Sequence, residues 1–373
     1  MDAFAFIIHP IDPKRDVMRK YPLLGRALPE AAIHFLSRFW PPVLISHVTG
    51  VRSQATGKEI EGWLIAVPYT APRMLSLPVQ EVYRKIIAAG RLAERLGADV
   101  LGLGAYTSIV GDGGKTIARE LDIAVTSGNS YTAALAALAV REAARRLNLR
   151  LRDATLAVVG ATGSIGGVVA QLLVADVKRM LLVGRDAGRL ATLAERLRAR
   201  PGAPPVHLTT HLAEVHTADV VVTVTSAGGG LIRPEHLKRG ALVCDVSRPR
   251  DISREVAAAR EDVLVIDGGL VRVPGAVDFG FDYGPPPDMT FGCVAETMVL
   301  ALEGRFEDYT LGKDLDLEQV REIDRLAAKH GFELAALRSF ERKLDDVILE
   351  RVKTFRNPDV PPTLDVVGAV GRR

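Results

Sequence analysis

Residues 154–167, ATLAVVGATGSIGG, decide the fold of this chain. Their first half is an apolar run that predicts a buried strand, and glycines at 160, 163 and 166 precede an apolar stretch with helical spacing. Glycine lets the backbone turn tightly between strand and helix, and the helix start offers N–H groups to an anion. The segment therefore predicts a strand–turn–helix unit that holds the pyrophosphate of a dinucleotide.

Further apolar runs follow this segment at regular intervals: RMLLVGR, ADVVVTVTSA, ALVCDVS and DVLVIDGG. Separated by helical patterns, they predict a Rossmann-type, doubly wound α/β fold with a parallel sheet covered on both faces. We expect an N-terminal α/β substrate domain (1–130), an NADP-binding domain (131–288), a C-terminal helical segment (289–352) and a loosely ordered tail (353–373). Within the third segment, helices are expected from Cys293 to Glu303, over about 314–330 and over about 333–352.

The second strand of the nucleotide domain ends at Arg185, with Arg189 one helical turn later. An acidic residue at this place selects NAD, whereas a guanidinium suits the 2′-phosphate of NADP, so we expect NADPH. Asp186 keeps NAD open as an alternative, and a glycine turn that serves only packing is a second one. The predicted cofactor-binding residues are Gly160, Thr162, Gly163, Ser164, Ile165, Gly166, Arg185 and Arg189.

Cys293 lies in the stretch DMTFGCVAETMVLALEG, after a proline-rich loop and at the expected start of a helix. A helix N-terminus can lower the pKa of a cysteine, which makes Cys293 a candidate nucleophile. The alternative is a small buried residue. Cys244 falls inside an apolar strand, so we expect it to be an inert part of the core.

Composition narrows the class of protein. The 48 basic and 45 acidic residues leave a net charge of +3 without long like-charged blocks, so we expect no nucleic-acid partner. Two cysteines and an N-terminal stretch without a signal-peptide pattern favour a reduced, cytoplasmic protein. No apolar run is long enough for a membrane span, and the histidines and cysteines form no metal-binding pattern.

Five segments match landmarks of a known family in the same order. They are QATGKEIEG, LGLGAYTSI, TSGNSYTA, LAVVGATGSIG and FGCVAETMVLALEG, and KHGFELAAL follows them. Over roughly residues 45–340 the chain resembles the cyanobacterial long-chain acyl-[acyl-carrier-protein] reductases, which form fatty aldehydes. The resemblance implies that Cys293 accepts the acyl group and that Gly160, Gly163 and Gly166 bind NADPH.

That resemblance also implies a fatty acyl-carrier protein or acyl-CoA as substrate, an enzyme that consumes the aldehyde as a further partner, and magnesium as an accessory ion. Thr107, Ser108 and Asn129 are candidate oxyanion or substrate contacts, with solvated loop residues as the alternative interpretation. Two other functions stay open. One is an NADP oxidoreductase of the shikimate or amino-acid dehydrogenase type without covalent catalysis, and the other is a non-enzymatic NADPH-binding regulator.

Overall fold

The computed structural model describes residues 1–340 and 342–356, so most of the predicted tail, 357–373, lies outside the described residues. The strands are β1 (Ala3–Ile8), β2 (Val43–Arg52), β3 (Glu59–Ala66), β4 (Val100–Leu103), β5 (Ala124–Thr126), β6 (Thr155–Val159), β7 (Arg179–Val183), β8 (Val206–Thr209), β9 (Val220–Thr223), β10 (Leu242–Asp245), β11 (Leu264–Asp267), β12 (Leu270–Arg272), β13 (Gly275–Asp278), β14 (Met289–Phe291), β15 (Glu333–Leu334), β16 (Arg338–Ser339) and β17 (Arg342–Lys343). The helices are α1 (Pro13–Lys20), α2 (Pro22–Ala27), α3 (Glu30–Leu36), α4 (Ala71–Ser76), α5 (Val79–Arg95), α6 (Lys115–Arg119), α7 (Asn129–Arg146), α8 (Ser164–Leu173), α9 (Ala187–Arg198), α10 (Arg254–Ala259), α11 (Gly292–Glu303), α12 (Leu317–His330) and α13 (Asp346–Arg356).

The chain forms two compact units, and each consists of two separate stretches of sequence. Among the described residues, the first unit comprises 1–132 and 271–333, and the second comprises 133–270, 334–340 and 342–356. Residues 289–333 belong to the first unit together with residues 1–132. The reason is pairing and packing within the first unit, because β13 pairs with β2 and α11 packs on β1, β3 and β4.

The first unit is built on a six-stranded sheet in the order β13-β2-β3-β1-β4-β5. Strands β3, β1, β4 and β5 run parallel, while β2 is antiparallel to both of its neighbours. Because parallel strands end at the same edge, the loops after β1, β4 and β5 emerge side by side. Helix α5 ends next to Gly97, as its sequence pattern predicts, and buries Val82, Ile86 and Ala89 against this sheet.

The second unit contains the predicted parallel sheet, so the α/β fold class is confirmed. Its six strands lie in the order β11-β10-β9-β6-β7-β8 and all run parallel. The chain starts in the middle at β6, proceeds to one edge, returns and proceeds to the other edge, so the order reverses between β6 and β9. Open sheets of this kind bind ligands at the carboxyl ends of the strands beside that reversal.

The helix predicted over 333–352 is wrong. The structure has short strands from 333 to 343 and then α13, which begins only at Asp346 and runs to Arg356. Strands β16 and β17 form a tight antiparallel pair, and Phe340 between them adopts a left-handed φ of 49° that a helix does not allow. The guanidinium groups of Arg250 and Arg254 lie over the Phe340 ring, which holds this turn in place.

Among the described residues, every helix is either too short or too polar to cross a lipid bilayer.

Candidate functional site

Cys293 lies in the first turn of α11, at the helix start that the sequence predicts. Its side chain is half-buried, so the thiol is neither sealed in the core nor fully solvated. The phenol of Tyr283 lies close enough that burial, together with charge at Cys293, raises the tyrosine pKa. The rings of Phe279, Tyr283 and Phe291 form an aromatic cluster with centroids 5.1 and 6.2 Å apart, and this cluster gives the thiol an apolar neighbourhood.

Gly128 allows the backbone of Cys293 to lie directly against the loop that follows β5. The glycine follows β5 with φ of +71°, and a Cβ built there would lie 2.3 Å from Cys293 Cα and 2.4 Å from Cys293 Cβ. Only glycine therefore permits the start of α11 to approach the loop this closely. The neighbouring Ser127 is almost fully buried, and its hydroxyl has no hydrogen-bond partner within the described residues. A ligand at this loop would satisfy that hydroxyl.

One turn beyond Cys293, Glu296 anchors the helix to the same loop. The carboxylate is fully buried and accepts hydrogen bonds from Thr126 Oγ1 (2.5 Å), Thr310 Oγ1 (2.6 Å) and the Tyr131 backbone N–H (2.8 Å). Burial raises the pKa of Glu296, while these donors favour its charged form. Together they join α11 to the end of β5 and the start of α7.

The other end of α11 is held by the segment QATGKEIEG. Lys58 Nζ donates to the carbonyl oxygens of Ala301 and Leu302 at 2.9 and 3.0 Å, where a helix C-terminus leaves carbonyl groups without intrahelical partners. A buried chain of hydrogen bonds continues beside it, since Ser53 Oγ meets His330 Nδ1 at 2.8 Å and His330 Nε2 meets Glu303 Oε2 at 2.8 Å. With Ser53 and His330 almost fully buried, these hydrogen bonds stabilise the packing of the C-terminal end of α11.

The three predicted oxyanion candidates follow β4 and β5 at the same edge of the sheet. Thr107 and Ser108 are buried in a 3₁₀ turn, where their hydroxyls donate to the carbonyls of Gly104 (2.8 Å) and Ala105 (2.6 Å). Those two donors are thus committed to their own turn. Asn129 is half-buried and opens α7 directly after the glycine that touches Cys293. Asn129 is therefore the candidate of the three that stays next to the thiol-bearing helix.

His9 is a candidate that the sequence analysis missed. The residue follows β1, which lies next to β4 in the sheet, and its ring packs edge-on against Tyr106 with centroids 6.0 Å apart. Nδ1 meets the Pro10 carbonyl at 3.1 Å, whereas Nε2 is buried and has no hydrogen-bond partner in the described part of the chain. Burial lowers the pKa of His9, which leaves the imidazole neutral at pH 7. The only sequence signal is a histidine placed directly after an apolar strand.

In the second unit, the glycine turn has the shape that an anion requires. Gly160 has φ of +86°, and a Cβ there would lie 2.3 Å from the Val224 carbonyl oxygen. A Cβ on Gly166 would lie 2.3 Å from the Gly160 carbonyl oxygen, so α8 can start directly against the turn only without a side chain. Gly163 is the N-cap of α8, and Ser164 and Ile165 form its first turn. The predicted residues are thus brought together as a cradle at a helix N-terminus.

Three charged residues at the start of α9, Arg185, Asp186 and Arg189, are candidates to contact the ribose of a dinucleotide. Arg189 Nη2 donates to the Thr162 carbonyl at 2.7 Å and so braces the glycine turn. Asp186 is the N-cap of α9, and its Oδ1 accepts the Arg189 backbone N–H at 3.0 Å, which leaves the second oxygen of this exposed carboxylate able to accept a ribose hydroxyl. Arg185 is exposed, and its guanidinium has no partner within residues 1–340 and 342–356. Arg185 can therefore contact a ligand without giving up a contact within the fold.

A buried carboxylate network lies after β9 and β10 in the same unit. Asp251 is fully buried and accepts the hydroxyls of Thr223 (2.5 Å), Thr225 (2.7 Å) and Ser247 (2.6 Å). Burial raises the pKa of Asp245 to about 6. Cys244 beside it is fully buried, and burial together with the charge of Asp245 raises the pKa of its thiol, as expected for inert core. Across the described residues, no three His, Cys, Asp or Glu side chains are arranged to hold a metal ion.

A family model described as shikimate / quinate 5-dehydrogenase matches residues 141–267, within the second unit. The chain is 32% identical over 375 residues to aminotransferase PigE of Serratia sp. (strain ATCC 39006), which covers 96% of this chain but 42% of that protein. The chain thus spans about two fifths of the length of this relative.

A second relative is the long-chain acyl-[acyl-carrier-protein] reductase of Synechococcus elongatus. It is 29% identical over 319 residues, which cover 80% of this chain and 90% of that protein. Among solved structures, quinate dehydrogenase from Corynebacterium glutamicum in complex with NAD aligns over 87% of this chain and 98% of its own, at 14% identity and a TM-score of 0.38. The sequence matches support an oxidoreductase resemblance with an NAD(P)-dependent type of fold.

Proposed function

We propose that this chain is an NADPH-dependent reductase that converts the acyl group of a long-chain acyl-carrier protein, or of acyl-CoA, into an aldehyde through a thioester on Cys293. The observation that carries the proposal is the half-exposed thiol in the first turn of α11, held against Gly128. The 29% identity to a long-chain acyl-[acyl-carrier-protein] reductase supports the reaction class. A cytoplasmic setting would keep the thiol reduced.

In the proposed reaction the Cys293 thiolate attacks the thioester carbonyl, and the carrier's pantetheine sulfur leaves as a thiol after it takes up a proton. The N-terminus of α11 directs its partial positive charge toward the thiolate and toward the oxyanion that forms. Asn129 is the side chain we assign to orient the acyl carbonyl, because it follows Gly128 directly. The cluster of Phe279, Tyr283 and Phe291 suits the apolar chain of the substrate.

The thiol proton needs an acceptor, and we assign that role to His9. Its Nε2 is neutral, buried and without a partner in the described residues, and it lies at the strand edge shared with Gly128. The same nitrogen can then return the proton to the departing thiol, which balances the transfer. His9→Asn should slow acylation of Cys293 and leave NADPH binding unchanged. An unchanged acylation rate would remove His9 from the mechanism.

The glycine cradle of the second unit fits a dinucleotide, and we propose that Gly160, Gly163, Ser164, Ile165 and Gly166 hold its pyrophosphate. A bound reduced nicotinamide supplies the hydride that turns the acyl group into an aldehyde. Arg185 is the proposed contact to the 2′-phosphate, because its exposed guanidinium has no partner within the described residues, whereas Arg189 braces the glycine turn. Arg185→Ala should raise the KM for NADPH by about tenfold or more while the KM for NADH stays the same. Equal effects on both cofactors would refute this assignment.

A second candidate function is a dehydrogenase of the shikimate or quinate type without a covalent intermediate. The family match over residues 141–267 favours it, but that match covers only the nucleotide unit. Such an enzyme has no use for a thiol at position 293, so Cys293→Ala separates the two proposals.

The deciding experiment is the intact mass of the protein after incubation with palmitoyl-carrier protein in the absence of NADPH. We expect one palmitoyl adduct on the wild type and on the matched control Cys244→Ala, and none on Cys293→Ala. Addition of NADPH should discharge the adduct as aldehyde. If no acyl thioester acylates the protein while NADPH binds, or if Cys293→Ala keeps full activity, the thioester mechanism is wrong.

A further inference from the structure

Exposed apolar side chains are concentrated in residues 11–44, which include α1, α2 and α3. Of the fifteen large apolar side chains that are exposed among the described residues, eight lie in this short segment. Four of them are more than half exposed: Leu23 (80%), Ile11 (76%), Phe39 (71%) and Phe35 (61%). We call these four, with Tyr21 and Leu24, the N-terminal apolar face. Single exposed apolar residues are ordinary, but such a concentration marks an interaction surface.

The segment is folded, so the exposure is not that of a loose chain. Gly25 of α2 packs directly on Met18 of α1, where a Cβ would lie 2.3 Å from Met18 Cγ. Ile33 of α3 is buried. The Phe35 and Phe39 rings pack edge-on with centroids 5.6 Å apart while both remain mostly exposed. Helices α2 and α3 therefore each bury one residue, Gly25 and Ile33, while Leu23 and Phe35 of the same helices are exposed.

The charge of this segment is basic. Residues 11–44 contain six Lys and Arg against three Asp and Glu, which gives the segment by itself a net charge as large as the +3 of the whole chain. Asp12 and Asp16 are used locally, because they accept backbone N–H groups at the start of α1. The side chains of Lys14 and Arg26, in contrast, have no partner in the described part of the chain.

We propose that the N-terminal apolar face docks on an anionic lipid surface, with its leucines and aromatic rings in the acyl boundary and Lys14 and Arg26 at the phosphate headgroups. Exposed Leu and Phe beside unpaired cations is the pattern of an interfacial helical anchor. Helices of six to eight residues can lie in an interface but cannot span it. The protruding Leu23 and Phe39 together with the net positive charge of the segment fit a surface that is anionic outside and apolar beneath, as an anionic bilayer is. The inference does not depend on the proposed reaction.

Flotation with large unilamellar vesicles tests this docking. The purified full chain is mixed either with phosphatidylcholine vesicles or with vesicles that also contain phosphatidylglycerol, at low and at high salt. Binding should require the anionic lipid and should weaken with salt. Phe35→Ser with Phe39→Ser should abolish it, and Phe306→Ser, an exposed aromatic outside the face, is the matched control. Circular dichroism and thermal unfolding verify that all variants fold.

The cation pair is tested in the same assay. Lys14→Gln with Arg26→Gln should lower the apparent affinity for anionic vesicles about 25-fold, since each cation near such a surface contributes about fivefold. Arg152→Gln with Arg196→Gln removes two exposed charges elsewhere and should change little.

The proposal is overturned if the wild type does not float with anionic vesicles or if the serine pair floats as well as the control. A dimer that the serine pair dissociates, without any vesicle binding, would also overturn it and would assign the face to a second copy of the chain. Binding of an acidic carrier protein at Lys14 and Arg26, without binding to vesicles, would overturn it in favour of a protein partner.

Discussion

Gly128→Ala should displace the Cys293 thiol while the cysteine itself stays unchanged. The new methyl group would lie 2.3 Å from Cys293 Cα, whereas carbon atoms in contact are about 3.5–4.0 Å apart. The start of α11 must therefore retreat by more than about 1 Å. A displacement of about 1 Å at a reacting group lowers rates about 100-fold.

The same change also lowers stability, in two parts. Gly128 has φ of +71°, and an alanine in that region costs about 1 kcal/mol. Overpacking against the buried start of α11 adds about 1–3 kcal/mol. Gly97→Ala is the matched control, because Gly97 has φ of +84° and a methyl group there would meet no atom within 4 Å. It should lose only the backbone part.

Two measurements distinguish a displaced Cys293 thiol from a general loss of protein stability. The rate of alkylation of Cys293 by iodoacetamide, followed by intact mass, reports the environment of the thiol, and Cys244 is too buried to interfere. The kcat for acyl-thioester reduction reports the chemistry. The kcat should fall about 100-fold in Gly128→Ala, the alkylation rate should differ from the wild-type value, and both should stay at the wild-type value in Gly97→Ala. If Gly128→Ala matches the control in both, the contact between Gly128 and Cys293 does not position the nucleophile.

Three further changes probe the supports of the two units. Glu296→Gln places an NH₂ group opposite hydrogen-bond donors that in the wild type all point at carboxylate oxygens. We expect the free energy of unfolding, measured in urea, to fall by about 2–3 kcal/mol. A fall below about 0.5 kcal/mol, the size typical of surface substitutions, would contradict the anchoring role. Lys58→Met removes two hydrogen bonds to the C-terminal end of α11 and should lower the free energy of unfolding by about 1–2 kcal/mol. Lys313→Met, at an exposed lysine, is the control. Equal losses in both variants would show that the Lys58 cap does not stabilise the fold. Asp245 has its pKa raised to about 6, so between about pH 4 and 6 the native state binds more protons than the unfolded state, and stability falls as pH rises through that window. The free energy of unfolding of wild type relative to Asp245→Asn should therefore decrease by about 1–3 kcal/mol from pH 4 to pH 6, and a difference that is flat with pH would refute it.

Local patterns predicted the elements well because each needs only neighbouring residues. The glycine turn at 160–166 and the start of α11 follow from apolar periodicity broken by glycine, and the structure places both where expected. The predicted helix over 333–352 is wrong because periodicity carries no information on the left-handed backbone of Phe340, where the chain reverses.

Contacts between distant segments could not be predicted. Gly128 and Cys293 meet only because α11 packs on the sheet that β5 closes, and no local pattern links the two residues. Polarity and a place in a family-like segment favour Thr107 and Ser108 as oxyanion contacts, but the structure shows that their hydroxyls donate to the carbonyls of their own turn. His9 was missed because an unpaired buried nitrogen is visible only once the surrounding packing is known.

The discontinuity of the first unit sets an order of events during synthesis. Residues 1–132 emerge from the ribosome first, yet the edge strand β13 and the helix that carries Cys293 follow only after the whole stretch 133–270 has been made. That stretch is continuous and contains every strand of the parallel sheet, so it can complete its sheet before the unit that began earlier. The helix that carries Cys293 is thus set in place after the parallel sheet of the second unit, and a nascent chain that stops between residues 270 and 292 would contain that sheet but no Cys293 helix.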